Sequence, residues 1–317
     1  MEAVNSTLNQ TLRRDMYEVI VVKNFQDDLI DSNLDRLGVR SFLSREQSVG
    51  AKMCEGLRLA SSPVVTFLED DDMYTAERLE AIAQSFAEDD VGYYHNSQIH
   101  IDQRGEVIQA AQQKTTHQGL VKLSNQLKHD TFRRRLSPDA YSNTSSIAVS
   151  KDVLQHWENQ LRMMRSAPDL FIFLCALLSD KGLVLDQRRL TMLRVHSQNT
   201  FTMPELTSKS LGEYLKRQYE RSKALLDDLE VMRGLKLNYA YSQDIMRRTV
   251  YWKVNQRLFS PPGEKHRTEL ALSEILFYVL STRGYEALRR LRNVLLISLP
   301  DGVRLFYLGR IIRNTKR

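Results

Sequence analysis

Cysteine is nearly absent: Cys54 and Cys175 are the two in 317 residues. They lack C-x-x-C spacing, which removes a thiolate metal cage or a disulfide framework. Their apolar helical surroundings predict buried thiols of a reducing compartment. Histidines are also badly spaced for ligation, since His95, His100, His117 and His129 have no cysteine or acid at a ligand-like interval, so no zinc site is expected. No apolar run approaches the roughly 18 residues of a spanning helix, and the first residues lack the basic-then-apolar order of a secretory signal. The expectation is a chain made and kept on the cytoplasmic side.

What is present is ordinary in bulk and uneven in distribution. At 42% hydrophobic and 26% charged, 317 residues suffice for one large core or two modest ones. The net charge of +6 conceals a split. From Leu206 to Arg317 there are 22 Lys and Arg against 11 Asp and Glu, and residues 1–205 are net acidic. Basicity therefore belongs to the C-terminal third.

The densest chemistry lies in Phe67-Leu68-Glu69-Asp70-Asp71-Asp72, four adjacent acids directly after the β-prone run Pro63-Val64-Val65-Thr66. A strand ending in clustered carboxylates offers hard oxygen ligands at a sheet edge, where Mg²⁺ or Mn²⁺ bridges protein to phosphate. The alternative for such a cluster is a solvated turn leading into the next helix. Upstream, Tyr17-Glu18-Val19-Ile20-Val21-Val22 reads as a strand buried on both faces of a parallel sheet. Gly50-Ala51-Lys52 opens a short amphipathic helix, and Thr75 to Ile82 reads as a helix capped by Thr75. The order loop, helix, strand, acids, helix predicts an α/β nucleotide-binding layer.

Val19 to Val22, Gly50-Ala51-Lys52 and Phe67 to Asp72 together resemble the nucleotide-sugar half of family 2 glycosyltransferases, which have the GT-A fold. Asn143 to Val149, Pro168-Asp169-Leu170 and Arg194-Val195-His196-Ser197-Gln198-Asn199-Thr200 resemble the acceptor half. The likeness covers roughly residues 3–202 and rests on the ordered set rather than on one motif. It implies an α/β GT-A-like sheet flanked by helices, with residues 1–95 binding the donor and 96–205 the acceptor. Two departures stand out. Met1 falls almost on the match to the first helix, so the family's first strand is missing from this sequence: either the start lies further upstream or the sheet edge is built differently. Where the family often has a base-reading aspartate, this chain has Lys23-Asn24.

The resemblance implies metal-dependent, inverting transfer from a nucleoside-diphosphate sugar to a polysaccharide, glycoprotein or lipid-linked acceptor, with Mn²⁺ or Mg²⁺ as cofactor. By position in the motif, Asp71 holds the metal and Glu69 faces the ribose, with Asp70 and Asp72 near enough to exchange roles. Asn24 falls at the base position. Lys52 is either a point charge for the phosphates or an ordinary helix-surface lysine. Asp169, matching the second member of a Glu-Asp pair whose first member here is Pro168, is the expected general base, a role compatible with capping its helix. His196 matches a histidine that ligates the metal or touches the diphosphate in relatives, with Asn199 ordering its loop.

The C-terminal third, 206–317, reads as a basic helical region. Tyr214 to Val231, Tyr239 to Leu258 and Leu270 to Leu280 are helical by spacing, broken at Ser260-Pro261-Pro262-Gly263. Ala287 to Arg313 interleaves leucines with arginines around Pro300. Two outcomes are open for it: packing on the rest of the chain, or peripheral contact of residues 287–317 with an anionic membrane surface. No nucleic-acid module is evident, and no nucleic-acid partner is expected. A catalytically inactive GT-A-like scaffold is the alternative function. A nucleotidyltransferase is disfavoured by the lack of a glycine-rich basic loop near the start.

Overall fold

β-branched runs and amphipathic stretches alternate through the first two-thirds of the chain, and the computed structural model turns each into a short element. It describes residues 1–88, 90–108, 119–133, 136–195, 208–264 and 269–314. In order these are α1 (Glu2–Leu8), β1 (Ile20–Lys23), α2 (Asp28–Arg36), β2 (Arg40–Leu43), α3 (Val49–Leu59), β3 (Val64–Thr66), β4 (Met73–Tyr74), α4 (Arg78–Ser85) and β5 (Val91–Ile101). There follow β6 (Leu120–Leu123), α5 (Asn125–Thr131), β7 (Ile147–Ser150), α6 (Lys151–Gln155), α7 (Glu158–Arg162), α8 (Pro168–Leu178) and β8 (Gly182–Arg194). Five helices complete the chain: α9 (Ser208–Arg233), α10 (Tyr239–Phe259), α11 (Leu272–Leu280), α12 (Gly284–Ile297) and α13 (Asp301–Asn314). Two compact units result, residues 1–196 and 197–317.

The first unit is a mixed sheet flanked by helices. Strands run β3-β7-β5-β8-β4, with β6 added on β8; β5 and β8 are parallel and the other neighbours antiparallel. From Leu170 to Leu177 α8 is buried at every position, as its apolar residues on all sides require. Its Phe173 meets Tyr93 of β5, Phe132 and Tyr141 with ring centroids 5.0 to 5.6 Å apart. Cys54 and Cys175 are free and buried, and burial pushes the Cys54 thiol up to about 11.

β1 departs from the expected strand buried on both faces. Among the described residues it pairs in parallel with β2 alone, in a separate two-stranded sheet, and Ile20, Val21 and Val22 are half-buried. A parallel strand is buried when helices cover both faces of its sheet, and in this two-stranded ribbon the cover over Ile20, Val21 and Val22 is partial. Glu18 ties this ribbon to the main sheet: its Oε1 accepts from Ser61 N at 2.7 Å, Ser62 N at 3.1 Å and Ser61 Oγ at 2.7 Å. The starts of β1 and β3 are thus held side by side through a side chain, with no ladder between them.

The helix after the acids also differs from the sequence reading. Met73 and Tyr74 form a strand on β8, and Thr75 N donates to Leu190 O at 3.0 Å, so the helix begins at Arg78 instead of after a Thr75 cap. Gln10 supplies the end group instead, its Oε1 accepting from Leu79 N at 2.9 Å and its Nε2 donating to Thr75 O at 2.8 Å. A tertiary partner has replaced the local cap.

In the second unit Tyr214, Leu258, Leu296, Leu308 and Ile312 form one buried cluster, and Val250, Val254 and Tyr278 another. The helical breaks fall where Pro261-Pro262 and Pro300 stand. The last helices are packed on one side and exposed on the other: Leu296 and Leu308 are buried while Leu288, Leu295 and Phe306 are more than 60% exposed. Arg304 differs from the exposed arginines around it. It is buried, donating to Ser260 Oγ and Ser260 O at 2.8 Å and to Asp301 at 2.9 Å.

Candidate active site

The loop between β3 and β4 carries the four acids, and the fold gives them unlike environments. Asp72 is buried; its Oδ1 accepts from Arg194 N at 2.9 Å and its Oδ2 from Asn143 Nδ2 at 3.1 Å. Burial raises its pKa, while hydrogen bonds from Ser145, Arg194 and Asn143 oppose that rise. Both Asp72 oxygens thus take part in holding the loop. Asp70 is exposed and Asp71 half-buried.

Glu69 is solvent-accessible. Its carboxyl is pushed up to about 7, by burial first and then by Asp72 and Asp71; Asp169 adds to the rise and a hydrogen bond from Thr144 opposes it. The fold therefore brings Glu69, Asp71 and Asp72 of the β3–β4 loop and Asp169 of α8 into one electrostatic neighbourhood. Accumulated negative charge of this kind is what a cation relieves.

Asp169 lies in the first turn of α8, where Ala167 is the cap and Pro168 the first helical residue. Asp169 is therefore not the N-cap that one reading of the sequence allowed. Its Oδ1 accepts from Leu170 N at 2.8 Å, and a carboxylate in a first turn is favoured by the unsatisfied N–H groups there.

A polar bracket that the sequence did not reveal as such supports the acids from below. Asn143 has φ 69°, the left-handed region, and its Oδ1 accepts from Ser145 N at 2.9 Å. Ser145 Oγ accepts from Glu69 N at 3.0 Å, so residues 143–145 hold both ends of the acid loop. Arg194 is the second unforeseen support. Its Nε donates to Asp71 O at 2.7 Å, its Nη1 to Gln103 O at 2.9 Å and its Nη2 to Glu2 at 2.6 Å. One guanidinium so joins the acid loop, the end of β5 and α1. Beneath the loop, buried Arg78 stacks on Tyr74 at 3.9 Å and donates to Thr66 Oγ1 at 2.8 Å and Asn96 Oδ1 at 2.9 Å.

Asn143 predicts a measurable stability cost. Asn143→Ala removes two hydrogen bonds and places a Cβ-bearing residue without local compensation at positive φ, for an expected loss of about 2 to 3 kcal/mol. Asn143→Gly frees the backbone and should lose about 1 kcal/mol less. Urea denaturation of the two variants checks the order; alanine equal to glycine would mean that φ carries no strain.

Beside the bracket, His95 is buried with its Nε2 2.9 Å from Ser142 O. Burial pushes its pKa down to about 4, against the opposing effect of that hydrogen bond. The unfolded chain then binds a proton near pH 6.5 that the folded chain refuses until about pH 4, so stability is full above 6.5 and falls as the pH drops through this window. The drop is about 3 kcal/mol. A His95→Gln variant should show a correspondingly flatter acid limb in melting temperature against pH, and an unchanged limb would contradict it.

The other expected site residues are Lys52, Asn24 and His196. Lys52 is half-buried in the first turn of α3, and Asn24 is exposed just after β1. Lys23, its neighbour, is buried and paired with Asp31 at 2.7 Å, so the pair Lys23-Asn24 splits into a structural lysine and a surface asparagine. His196 and Asn199 fall outside the described residues. Among the described residues no group of three or more His, Cys, Asp or Glu is arranged to enclose a metal ion.

Residues 1–156 match the model of Glycosyl transferase family 2. Among solved structures, S. aureus TarS 1-349 in complex with UDP is similar over 93% of this chain and 85% of its own, at 13% identity and TM-score 0.50. The crystal structure of S. aureus TarS is similar over 93% of this chain and 51% of its own, at 12% identity and TM-score 0.50. At such identities the likeness is one of fold. No curated protein matches the chain. Residues 1–156, which carry the acid loop and its bracket, are thus a glycosyl transferase family 2 segment, and the chain that holds them is a glycosyltransferase with the GT-A fold.

Proposed function

We propose that the chain transfers a glycosyl group from a nucleoside-diphosphate sugar to a hydroxyl of a polysaccharide, glycoprotein or lipid-linked acceptor, with inversion at the anomeric carbon and with Mn²⁺ or Mg²⁺. The observation that carries this reading is the convergence of Glu69, Asp71 and Asp169 beside one loop of a family 2 domain. A diphosphate is anionic, and so is this loop. The two are compatible when a divalent ion lies between them, held by one or two carboxylates and completed by phosphate and water oxygens, so the lack of a three-residue cage does not count against the fit. The UDP-bound TarS of the same fold supports a nucleotide donor.

In this reading Asp71 holds the ion and Glu69, with Asp70, faces the ribose. Bound there, the ion neutralises charge on the departing diphosphate. Lys52 serves the phosphates, Asn24 the base, and His196 the metal side. Residues 1–95 form the donor half and 96–205 the acceptor half. Asp169 takes the proton of the acceptor hydroxyl as its oxygen attacks the anomeric carbon; the bond from that carbon to the diphosphate oxygen breaks, and the nucleoside diphosphate leaves with the electron pair. Residues 206–317 form a basic helical region that works on the cytoplasmic side, against an anionic membrane surface through residues 287–317; no described helix is long and apolar enough to cross a membrane.

Release of nucleoside diphosphate from a panel of nucleotide sugars, with Mn²⁺ and crude acceptor glycans, tests the activity. Turnover with at least one donor is expected. Binding without turnover across donors and acceptors would favour the inactive scaffold.

A further inference from the structure

α11 has one charged residue, Glu274, in nine, and that charge is turned to Lys253 at 2.7 Å. A helix so apolar ought to be buried on all sides. One side is: Tyr278 is 1% exposed and packs with Val250 and Val254, with Phe277 and Val279 against the same cluster. The other side is bare. Leu272, Leu276 and Leu280, spaced by four, are 72%, 53% and 76% exposed. On α12, to which α11 is pinned by Arg290 donating to Tyr278 O at 2.8 Å, Tyr285, Leu288, Leu291 and Leu295 form a second exposed row. Exposed apolar surface repeated at helical spacing on adjoining helices marks a covered face.

Charge says what covers it. Residues 281–317 hold nine Lys and Arg against two Asp and Glu, and Arg283, Arg289 and Arg310 are exposed. A second copy would set two such basic regions against each other. An anionic bilayer answers both features, with leucines in the acyl boundary and arginines at the headgroups. We infer that α11 is part of the lipid-docking face: Leu272, Leu276 and Leu280 enter an anionic bilayer together with the α12 row, so the face begins well before residue 287. The inference rests on the membrane reading above and enlarges it.

The test uses the full chain and sedimentation with vesicles of phosphatidylcholine, with or without 30% phosphatidylglycerol by design. Wild type should bind the anionic vesicles and sediment poorly with neutral ones. The triple variants Leu272→Ser, Leu276→Ser, Leu280→Ser and Leu288→Ser, Leu291→Ser, Leu295→Ser alter exposed positions, and circular dichroism checks that each stays folded. Each should weaken vesicle binding about tenfold or more. If the α12 variant loses binding and the α11 variant binds as wild type, the enlarged face is wrong and the contact through residues 287–317 stands. If wild type ignores anionic vesicles, both fall. Lipid-free self-association that the α11 substitutions abolish would assign the face to a second copy and overturn the inference.

Discussion

Asp71→Ala should weaken Mn²⁺-linked binding of a nucleoside diphosphate by about 100-fold, close to 3 kcal/mol, while leaving the fold intact. The reason lies in how the loop is built. Asp72 is occupied by Arg194 N and Asn143, and Asp71 is held to the frame through its carbonyl, which accepts from Arg194 Nε at 2.7 Å. Removing the Asp71 side chain leaves those backbone supports in place. The variant thus tests the carboxylate itself, and titration calorimetry with and without Mn²⁺ reads it. Affinity that falls equally with and without the ion would show that Asp71 acts on the nucleotide directly or through the fold, and would remove the metal from the account.

Asp169→Asn should do the opposite, retaining nucleotide binding within a few-fold and lowering kcat by about 10² to 10⁴. Asparagine keeps the oxygen that accepts from Leu170 N, so the start of α8 is preserved while the proton acceptor is lost. A second consequence is electrostatic. Asp169 is one of the carboxylates that raise the Glu69 pKa, so its neutralisation should ease Glu69 ionisation and, if anything, favour cation binding. Loss of binding equal to that of Asp71→Ala would undo the division of roles.

The acid loop was legible because its chemistry is contiguous: a β-branched run and four acids need no partner to be noticed. The second-unit helices were legible for the same local reason, as apolar spacing, Pro261-Pro262 and Pro300 set their limits. What escaped the sequence is carried between residues far apart in the chain. Arg194 reaches Glu2, Asp71 and Gln103, and Gln10 takes the place of the Thr75 cap; neither leaves a periodic trace. Asn143-Thr144-Ser145 is three small polar residues until Glu69 and Asp72 are set upon them. β1 looked like a central strand because composition reports apolarity and not how many neighbours a strand finds. Exposure of the α11 leucines escaped for the converse reason, since helical spacing shows a stripe and not whether anything covers it.

The central claim is that the loop from Glu69 to Asp72 grips a divalent ion and, through it, the diphosphate of an activated sugar. Calorimetric titration of the full chain with UDP, in the presence and absence of Mn²⁺, puts this most directly. Saturable binding at least tenfold tighter with the ion is the predicted result. Affinity unchanged by Mn²⁺, or no binding in either condition, would contradict it.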